Sequence, residues 1–469
     1  MNIKLISPRS TMRPMDSAWK THMAPPLGLL VVGALTPAEH EVQMVDENVE
    51  SLVIDDNPQL VGISVKVDTL DRAVAIARAY CSRGVKVVMG GIHATACPED
   101  CLDEADAVVV GEAEESWPGL LQDISAGRLQ RLYRGSGRGA DLASSPAPRW
   151  ELLRGKNYLF TNTLTMSRGC PWRCEFCYNS AENVTPGFRM KPLAQILREV
   201  KGMGESHVMF IDDNFIGDPV RARALVEALR PLGLVWHAAV SADIGRHEDL
   251  IEAMAESGCK SLFIGFESIL TENLRECRKK QNRVADYNRT IARIHASGML
   301  VNASLVFGFD GDGPTVFQDT LDWLVGNHIA TMTAHILTPY PGTQLYRRLQ
   351  AEGRILERNL TQYNTAHCVF QPRGMSPAEL EAGHRWMYDQ FYSWPHILRR
   401  WPVSPRQVTA YLEFNLLYRK YGKVTCRLGE WVGMRNLARL ARVLAYPRWR
   451  GKRGEEKLGR AEKLLVVRC

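Results

Sequence analysis

The sequence predicts an α/β protein, with an N-terminal doubly wound parallel sheet, a partial (β/α)6 barrel and a helical C-terminal region. Two stretches, residues 1–126 and 161–350, predict the sheets, because short apolar runs alternate there with helical patterns. Helical patterns alone follow in residues 351–469. Since 469 residues exceed one ordinary domain, we expect domains at 1–130, 161–350 and 351–469.

Five strands are expected in the first domain. They cover residues 3–7, 42–46, 60–67, 85–90 and 107–110, with helices near 27–35, 70–81 and 114–125. Continuous apolar strands alternating with helices are typical of a parallel sheet, whose ligands bind at the carboxyl ends of the strands. Three such ends carry glycine turns: Gly62-Ile-Ser64, Met89-Gly-Gly-Ile-His93 and Val110-Gly-Glu-Ala-Glu114. Glycine lets a flat ligand approach the backbone, although ordinary loop glycines would give the same pattern.

The segment after the first sheet is predicted to be a linker. Residues 127–160 are rich in Arg, Gly, Ser, Ala and Pro, which break regular structure. We place the linker itself at residues 131–160.

Six further β/α units predict the partial barrel. Its strands are expected at 163–167, 207–212, 235–241, 261–266, 300–307 and 331–337, and its helices near 193–202, 219–232, 248–257, 284–296 and 316–325. In such barrels the functional residues lie at the carboxyl ends of the strands.

A cysteine triplet follows the first barrel strand, at Cys170, Cys174 and Cys177. Thiolates at this C-x3-C-x2-C spacing can bind three irons of a 4Fe-4S cube and leave the fourth iron open for chemistry. A zinc site would need a fourth cysteine or histidine close by. Residues 179–189 supply neither, and His207 lies 30 residues on.

Polar residues also mark the ends of the other barrel strands. They are Asp212, Asp213, Asn214, His237, Ser241, Glu267, Ser268, Asn302, Ser304 and Tyr340. Any one of them could simply satisfy backbone groups. As a ring around the cysteine loop, several are expected to face a ligand.

The triplet, with an aromatic residue before its third cysteine, resembles the signature of the radical S-adenosylmethionine (SAM) enzymes. The Asp-Asp-Asn-Phe, Ile-Gly-Phe-Glu-Ser and Pro-Tyr-Pro-Gly-Thr segments are similar to members of that family that carry a cobalamin domain. The resemblance implies that SAM chelates the open iron and is cleaved to a 5′-deoxyadenosyl radical. The electron would come from an external donor such as flavodoxin or ferredoxin. It also implies that Phe176 packs near adenine and that the region of Glu267 meets the ribose or amino acid part of SAM. Asp212, Asn214 and Ser241 are further expected cofactor contacts.

Residues 1–130 resemble the cobalamin-binding Rossmann-like domain of such enzymes. The resemblance rests on Ala24-Pro-Pro-Leu-Gly-Leu, the Gly-Gly-Ile-His-Ala-Thr loop and the Val-Val-Gly-Glu-Ala-Glu turn. The implied cobalamin contacts are Ser64, Gly90, Gly91, Gly111 and Glu112. Because the Asp-x-His-x-x-Gly motif is missing, cobalamin is expected to bind base-off, with no histidine under cobalt. A degenerate domain that has lost the cofactor is the alternative.

The C-terminal region is expected to be a helical cap. Ser376 and Glu379 form a capping-box pattern at the start of a helix. An aromatic group follows, consisting of Trp386, Tyr388, Phe391, Tyr392, Trp394 and Trp401. It predicts a packed cap, or alternatively one wall of an apolar substrate pocket.

Charge is unevenly distributed along the chain. The net charge is +6, but residues 391–469 carry 18 Lys and Arg against 5 Asp and Glu, so this tail is +13 and the remainder is −7. Nucleic acid, an anionic lipid surface and the acidic body are candidate partners. An apolar stripe of Trp431, Met434, Leu437, Ala441 and Leu444, interleaved with arginines, favours either packing on the barrel or peripheral membrane contact. Nucleic acid is not expected as a substrate, because tRNA methylthiolation requires a different N-terminal domain with its own cysteines.

A cytoplasmic location is expected. There is no run of about 18 apolar residues for a transmembrane helix. The first residues predict a strand, not a signal peptide. Eleven cysteines without a paired framework also favour a reducing compartment.

The expected function is a cobalamin-dependent radical SAM C-methyltransferase that acts on an unactivated carbon of a small biosynthetic intermediate. A radical cyclisation, ring contraction or rearrangement with the same cofactors is the alternative. A non-enzymatic scaffold is a third possibility, which turnover of SAM would exclude. The aromatic region and basic tail favour an apolar substrate such as a polycyclic terpenoid or tetrapyrrole. A peptide or antibiotic precursor stays open.

Overall fold

The structure is a computed structural model that describes residues 1–13, 22, 24–181, 184, 186–204, 206–418 and 431–446. The strands in these residues are β1 (Asn2–Ser7), β2 (Glu41–Asp46), β3 (Leu60–Ser64), β4 (Lys86–Gly90), β5 (Ala107–Val110), β6 (Leu132–Arg134), β7 (Thr163–Leu164), β8 (Ser167–Arg168), β9 (Arg189–Met190), β10 (His207–Phe210), β11 (Val235–Ser241), β12 (Cys259–Glu267), β13 (Leu300–Phe307) and β14 (Thr331–Ile336).

The first sheet is parallel throughout, in the order β2-β1-β3-β4-β5-β6. Its helices are Leu27–Leu35, Leu70–Cys81, Ile92–Ala96, Glu99–Leu102 and Ala113–Ser125. Alternate strand residues bury into two apolar clusters, one around Tyr80 and the other around Trp117, so helices cover both faces. The doubly wound prediction is confirmed. The order of the strands reverses between β1 and β3, where sheets of this kind bind ligands.

Two details of the first sheet differ from the sequence prediction. The strand expected at 60–67 ends at Ser64, because Val67–Thr69 already turns into the helix that follows. A sixth strand, Leu132–Arg134, lies in the predicted linker and pairs with β5. It was missed because three residues are too few to show an alternating pattern.

The second sheet is also parallel, in the order β14-β13-β12-β11-β10-β7, which confirms the six predicted strand positions. No pairing between β7 and β14 is present among the described residues, so the barrel is partial. Its helices are Leu193–Gly202, Pro219–Leu229, Glu248–Glu256, Thr271–Glu276, Tyr287–Ala296, Val316–Gly326 and Gln344–Ala351.

The first barrel strand is shorter than predicted. It was expected at 163–167, but β7 ends at Leu164. The chain leaves the ladder because the Asp212 carboxylate accepts hydrogen bonds from the amides of Met166 (3.0 Å) and Ser167 (2.6 Å). β8 then pairs antiparallel with β9, and this hairpin brackets the cysteine loop.

The C-terminal region is helical, as predicted, with helices Pro377–Phe391, Trp394–Arg399, Val408–Tyr418 and Met434–Ala445. The capping box is confirmed, with Glu379 N 3.2 Å from Ser376 Oγ and Ser376 N 2.8 Å from a Glu379 carboxylate oxygen. The first of these helices covers the edge strand β14. The amides of Met332 and Ala334 donate to the hydroxyls of Tyr392 and Tyr388, each over 3.0 Å.

The apolar stripe expected from Trp431 to Leu444 is only partly correct. Ala445 packs on the base of the barrel, beside Leu300. Leu444, by contrast, is 53% exposed and Trp431 is 87% exposed. Leu437 and Ala441 are half-buried, so the stripe is packed only in part, and membrane contact stays a prediction. Residues 447–469, which carry much of the basic tail, lie outside the described residues.

No helix in the described part of the chain is both long enough and apolar enough to span a bilayer.

Candidate active site

The cysteine loop lies at the carboxyl end of β7, where the barrel rule predicts chemistry. Cys174 is buried, while Cys170 and Cys177 are half-buried. Burial raises the pKa of all three thiols, in Cys177 to about 12. Lys279 opposes this shift at Cys170 and Cys174, so the loop has a cation beside the thiolates that bound iron would require.

The donor set of the loop fits a cluster better than a single metal ion. Among the described residues, His93, Cys97 and Asp100 form a group whose possible ligand atoms all lie within 4.8 Å of one another. The sulfur atoms of Cys170, Cys174 and Cys177 do not form such a group. A single zinc ion needs its ligands that close together. In a 4Fe-4S cube each thiolate binds a different iron, so the sulfur atoms stand farther apart.

Asp212 and Asp213 anchor the loop. Asp212 is buried and also accepts a hydrogen bond from the Ser167 hydroxyl (2.5 Å), so all its observed partners hold the strand that leads into the loop. Burial raises its pKa to about 6. The Asp213 carboxylate accepts hydrogen bonds from the Gly169 backbone and from the Asn179 side chain. Contact of Asp212 with SAM stays a prediction.

Asn214 and Ser241 are joined by two hydrogen bonds. Asn214 Nδ2 donates to Ser241 Oγ over 3.0 Å, and the Ser241 amide donates to Asn214 Oδ1 over 3.2 Å. Ser241 Oγ also donates to Asp243. This network fixes the ends of β10 and β11 beside the cysteine loop, where the sequence predicts SAM.

Glu267 ends β12 in a strained conformation, with a φ of 64° that favours glycine. Its carboxylate pairs with Lys279 Nζ at 2.7 Å, and both side chains are largely buried. Next to this pair, Gln281 Nε2 lies 3.7 Å from Cys174 Sγ. Strain of this kind clusters at functional sites. Lys279 and Gln281 escaped the sequence analysis, because they follow a helix rather than a strand.

Phe176 lies at the edge of an apolar cluster. Its ring is 6.3 Å from that of Phe309, edge to face, and the cluster includes Cys277 and Leu345. This half-buried aromatic surface, one residue before Cys177, is compatible with the predicted contact to adenine.

The expected cobalamin contacts Ser64, Gly90, Gly91 and Gly111 lie together at the carboxyl ends of β3, β4 and β5. Gly91 has a φ of 100°, and a Cβ there would lie 2.9 Å from the Val65 backbone. Gly111 has a φ of 93° with nothing within 4 Å of the Cβ position. A side chain at Gly91 would therefore collide with the neighbouring backbone, whereas Gly111 leaves open space beside the edge, as the approach of a large flat group requires. Binding by these residues stays a prediction.

Glu112, the fifth expected cobalamin contact, reaches the barrel, and its contact with cobalamin stays a prediction. Its carboxylate forms two hydrogen bonds with Arg189 of β9, at 2.6 and 2.8 Å. Both of its oxygens therefore have a protein partner.

Two residues that the sequence analysis did not select lie where the two sheets meet. His93 is fully buried, with Nε2 2.9 Å from Asp100, while Nδ1 has no partner among the described residues. Tyr178 follows Cys177 and stacks on Tyr340, with ring centroids 4.8 Å apart. Burial, followed by the nearby Cys97 thiol, raises the pKa of Tyr178. Its hydroxyl also has no partner within the described ranges. Such orphaned polar atoms suit a ligand at this junction.

A chain of hydrogen bonds crosses the inner face of the barrel. His207 Nε2 lies 2.8 Å from His237 Nε2, and His237 Nδ1 lies 2.7 Å from Ser261 Oγ. The chain continues through Asn302, which donates to Ser261. Above it, Ile211 and Phe263 are 38% and 37% exposed. The inner wall therefore has a polar floor and apolar side chains closer to the cysteine loop.

Comparison with known proteins agrees with this architecture. The Radical SAM superfamily matches residues 164–324 and the B12 binding domain matches residues 21–121. A domain of unknown function, DUF4070, matches residues 343–441.

Curated relatives match most of the chain. The bacteriochlorophyllide d C-12(1)-methyltransferase of Chlorobaculum tepidum is 26% identical over 421 residues, which cover 87% of this chain and 91% of that protein. The hopanoid C-2 methylase of Rhodopseudomonas palustris is 29% identical over 361 residues, 72% of this chain and 67% of that protein.

A solved structure shares the fold. It is the radical S-adenosylmethionine methyltransferase TsrM from Kitasatospora setae, with cobalamin and a 4Fe-4S cluster bound. The TM-score is 0.61 at 18% identity, over 94% of this chain and 99% of that chain. With both domain families matched on a shared fold, the chain is a B12-binding radical SAM protein, related to the cobalamin-dependent radical SAM methyltransferases.

Proposed function

We propose that this protein uses SAM, a 4Fe-4S cluster and cobalamin to methylate an unactivated carbon of a biosynthetic intermediate. The observation that supports it is the junction of the two sheets. Tyr178, next to the expected cluster ligand Cys177, lies beside Cys97 of the first domain. In the same interface, a Cβ on Gly342 would lie 3.2 Å from Ala96 Cβ. These contacts bring the predicted cluster loop and the first domain together, which supports cofactors that act on one substrate.

The chemistry would be divided between the bound groups and the protein. SAM at the cluster would supply hydrogen abstraction, and cobalamin would supply the methyl group. The three cysteines would hold the cluster, and Lys279 would offset their negative charge. The stacked rings of Tyr178 and Tyr340 would exclude water from the junction. Water exclusion protects reactive species from side reactions.

The substrate that we propose is a large, mostly apolar ring system. Ile211 and Phe263 offer partly exposed apolar surface on the inner wall, while the floor beneath them is polar. The relatives act, by their names, on bacteriochlorophyllide d and hopanoids, which are ring systems of this kind.

We further propose that cobalamin binds base-off with no protein histidine on cobalt. His93 is the histidine nearest the glycine edge, but it is fully buried and bonded to Asp100. Electron paramagnetic resonance of the Co(II) form should show no superhyperfine splitting from a nitrogen ligand on cobalt, and His93→Ala should leave the spectrum unchanged. A splitting present in the wild type and lost in His93→Ala would contradict this assignment.

The methyl transfer is tested by product mass. Anaerobic protein is incubated with cobalamin, a reductant, SAM carrying a deuterated methyl group, and candidate apolar substrates. We expect a product heavier by the labelled methyl group. Cys177→Ala should abolish it. Cys259→Ala, a buried cysteine at the opposite end of β12, should not. SAM cleavage and substrate loss without added label would instead indicate cyclisation or rearrangement.

A further inference from the structure

We propose that Glu112 and Glu114 form an interdomain latch that positions the cluster loop relative to the cobalamin edge. The proposal rests on the proposed function, because it assigns these residues a part in aligning its two cofactors. It also reassigns the Gly111-Glu-Ala-Glu114 turn, since Glu112 is expected from the sequence to touch cobalamin.

The first half of the latch joins Glu112 to Arg189. The two guanidinium nitrogens meet the two carboxylate oxygens at 2.8 and 2.6 Å, which is a bidentate pair. The backbone of Ala140 hydrogen-bonds to both members of this pair. Arg189 donates to its carbonyl over 2.8 Å, and its amide donates to Glu112 over 2.7 Å. Although burial opposes it, Arg189 and Arg168 lower the pKa of Glu112, so the carboxylate is ionised.

The second half joins Glu114 to Arg168. Arg168 Nη2 donates to Glu114, and Ser145 Oγ donates to the same carboxylate over 2.7 Å. Arg168 Nη1 also lies 3.6 Å from Glu112, so the two halves share a cation. The Glu114 side chain is only 8% exposed. Ion pairs this well buried are screened little by salt, and their geometry is restricted.

The latch holds both ends of the cluster loop. Arg168 immediately precedes Gly169 and Cys170 and lies on β8, while Arg189 lies on β9. These two-residue strands pair through residues 167–168 and 189–190. Such a short hairpin has little stability of its own. The carboxylates of the first domain therefore tie the hairpin to that domain, while Asp212 ties β8 to the barrel.

Removal of one member would leave a charge buried without its partner. For a buried pair this is strongly destabilising. We expect the hairpin to separate from the first domain in Glu112→Gln and Glu114→Gln, while each sheet keeps its own core. The distance between the cluster and cobalt should then vary from molecule to molecule, instead of having one well-defined value.

The test uses the full chain, with a reconstituted cluster and bound cobalamin, reduced so that the cluster and Co(II) are both paramagnetic. Pulsed dipolar electron paramagnetic resonance then gives the distribution of distances between them. We expect one narrow distribution for the wild type and a distribution at least twice as wide for Glu112→Gln. Glu104→Gln is the matched control, because Glu104 forms an equally short bidentate pair with Arg78 (2.6 and 2.7 Å) inside the first domain. It should match the wild type.

The outcomes separate the latch from the proposed function. An unchanged distribution together with weaker cobalamin binding in Glu112→Gln would overturn the latch and make Glu112 a cofactor contact. If the wild type took up no cobalamin, the proposed function would fail, and the latch would be tested on the apo chain by hydrogen exchange. Faster exchange at residues 167–168 and 189–190 in Glu112→Gln than in Glu104→Gln would support it, and equal exchange would overturn it.

Discussion

Asp212→Ala tests how the protein holds the cluster loop. The carboxylate accepts hydrogen bonds from the amides of Met166 and Ser167 and from the Ser167 hydroxyl, all in the buried strand exit that leads to Cys170. Alanine would leave these three donors without an acceptor. Each buried unsatisfied group costs about 1–3 kcal/mol. Because water can enter the space of the lost carboxylate, we take the lower end and expect about 3 kcal/mol in total.

This free energy should appear as faster loss of the cluster. About 1.4 kcal/mol corresponds to a factor of ten, so about 3 kcal/mol makes the open loop roughly 100-fold more populated. If a chelator captures iron from the open loop, iron release should accelerate by about the same factor. The assay is anaerobic transfer of iron to a coloured chelator, followed over time in the reconstituted protein.

Asp218→Ala is the matched control. Asp218 also accepts from two backbone amides, those of Val220 and Arg221, each at 3.1 Å, but it does so at the exposed start of a helix. Loss of such a cap costs about 1 kcal/mol and should leave iron release unchanged. Equal rates in the two variants would refute the anchoring argument. Weaker SAM binding in Asp212→Ala with normal iron retention would make Asp212 a cofactor contact instead.

Three further predictions concern the cluster, the glycine edge and pH. Replacement of Cys170, Cys174 and Cys177 together by alanine should abolish iron binding and SAM cleavage, and a full iron content in the triple variant would contradict the cluster assignment. Gly91→Ala should weaken cobalamin binding, measured by titration, because its Cβ would meet the Val65 backbone at 2.9 Å. Gly84→Ala, with a φ of 76° but open space, is the control. Since burial raises the pKa of Asp212 to about 6, its ionisation opposes folding. The free energy of unfolding of the apo protein should therefore fall by about 3 kcal/mol as the pH rises from about 4 to about 6. This pH-dependent loss of stability should be absent in Asp212→Asn. Equal changes of the free energy of unfolding with pH in the two proteins would contradict the assignment to Asp212.

Much of the fold could be predicted from periodicity, because long apolar strands alternate with helices in both sheets. β11 and β13 have the bounds that were predicted for them. The failures have local causes. β6 is too short to show a pattern, and β7 ends early because Asp212, distant in sequence, accepts hydrogen bonds from the amides of Met166 and Ser167, which therefore leave the ladder.

The site divides in the same way. The cluster cysteines lie within eight residues of one another in sequence, so their spacing alone predicts the chemistry. Lys279 and His93 gain their meaning only through tertiary contacts, with Glu267 and Asp100 respectively. The pairing of Glu112 with Arg189 could not be predicted from the sequence either, because the two residues belong to different domains.

The tyrosine cover on β14 has a consequence for the protein as a whole. Besides the two amides, the carbonyls of Met332 and Ala334 accept hydrogen bonds from Tyr392 and Tyr388, at 2.7 and 3.1 Å. Side chains thus occupy the positions that a neighbouring strand would take, and the sheet cannot extend by pairing with another molecule. Truncation before Pro377 would uncover this edge. The C-terminal region is therefore not a removable appendage, and a shortened catalytic core is expected to self-associate rather than remain dispersed.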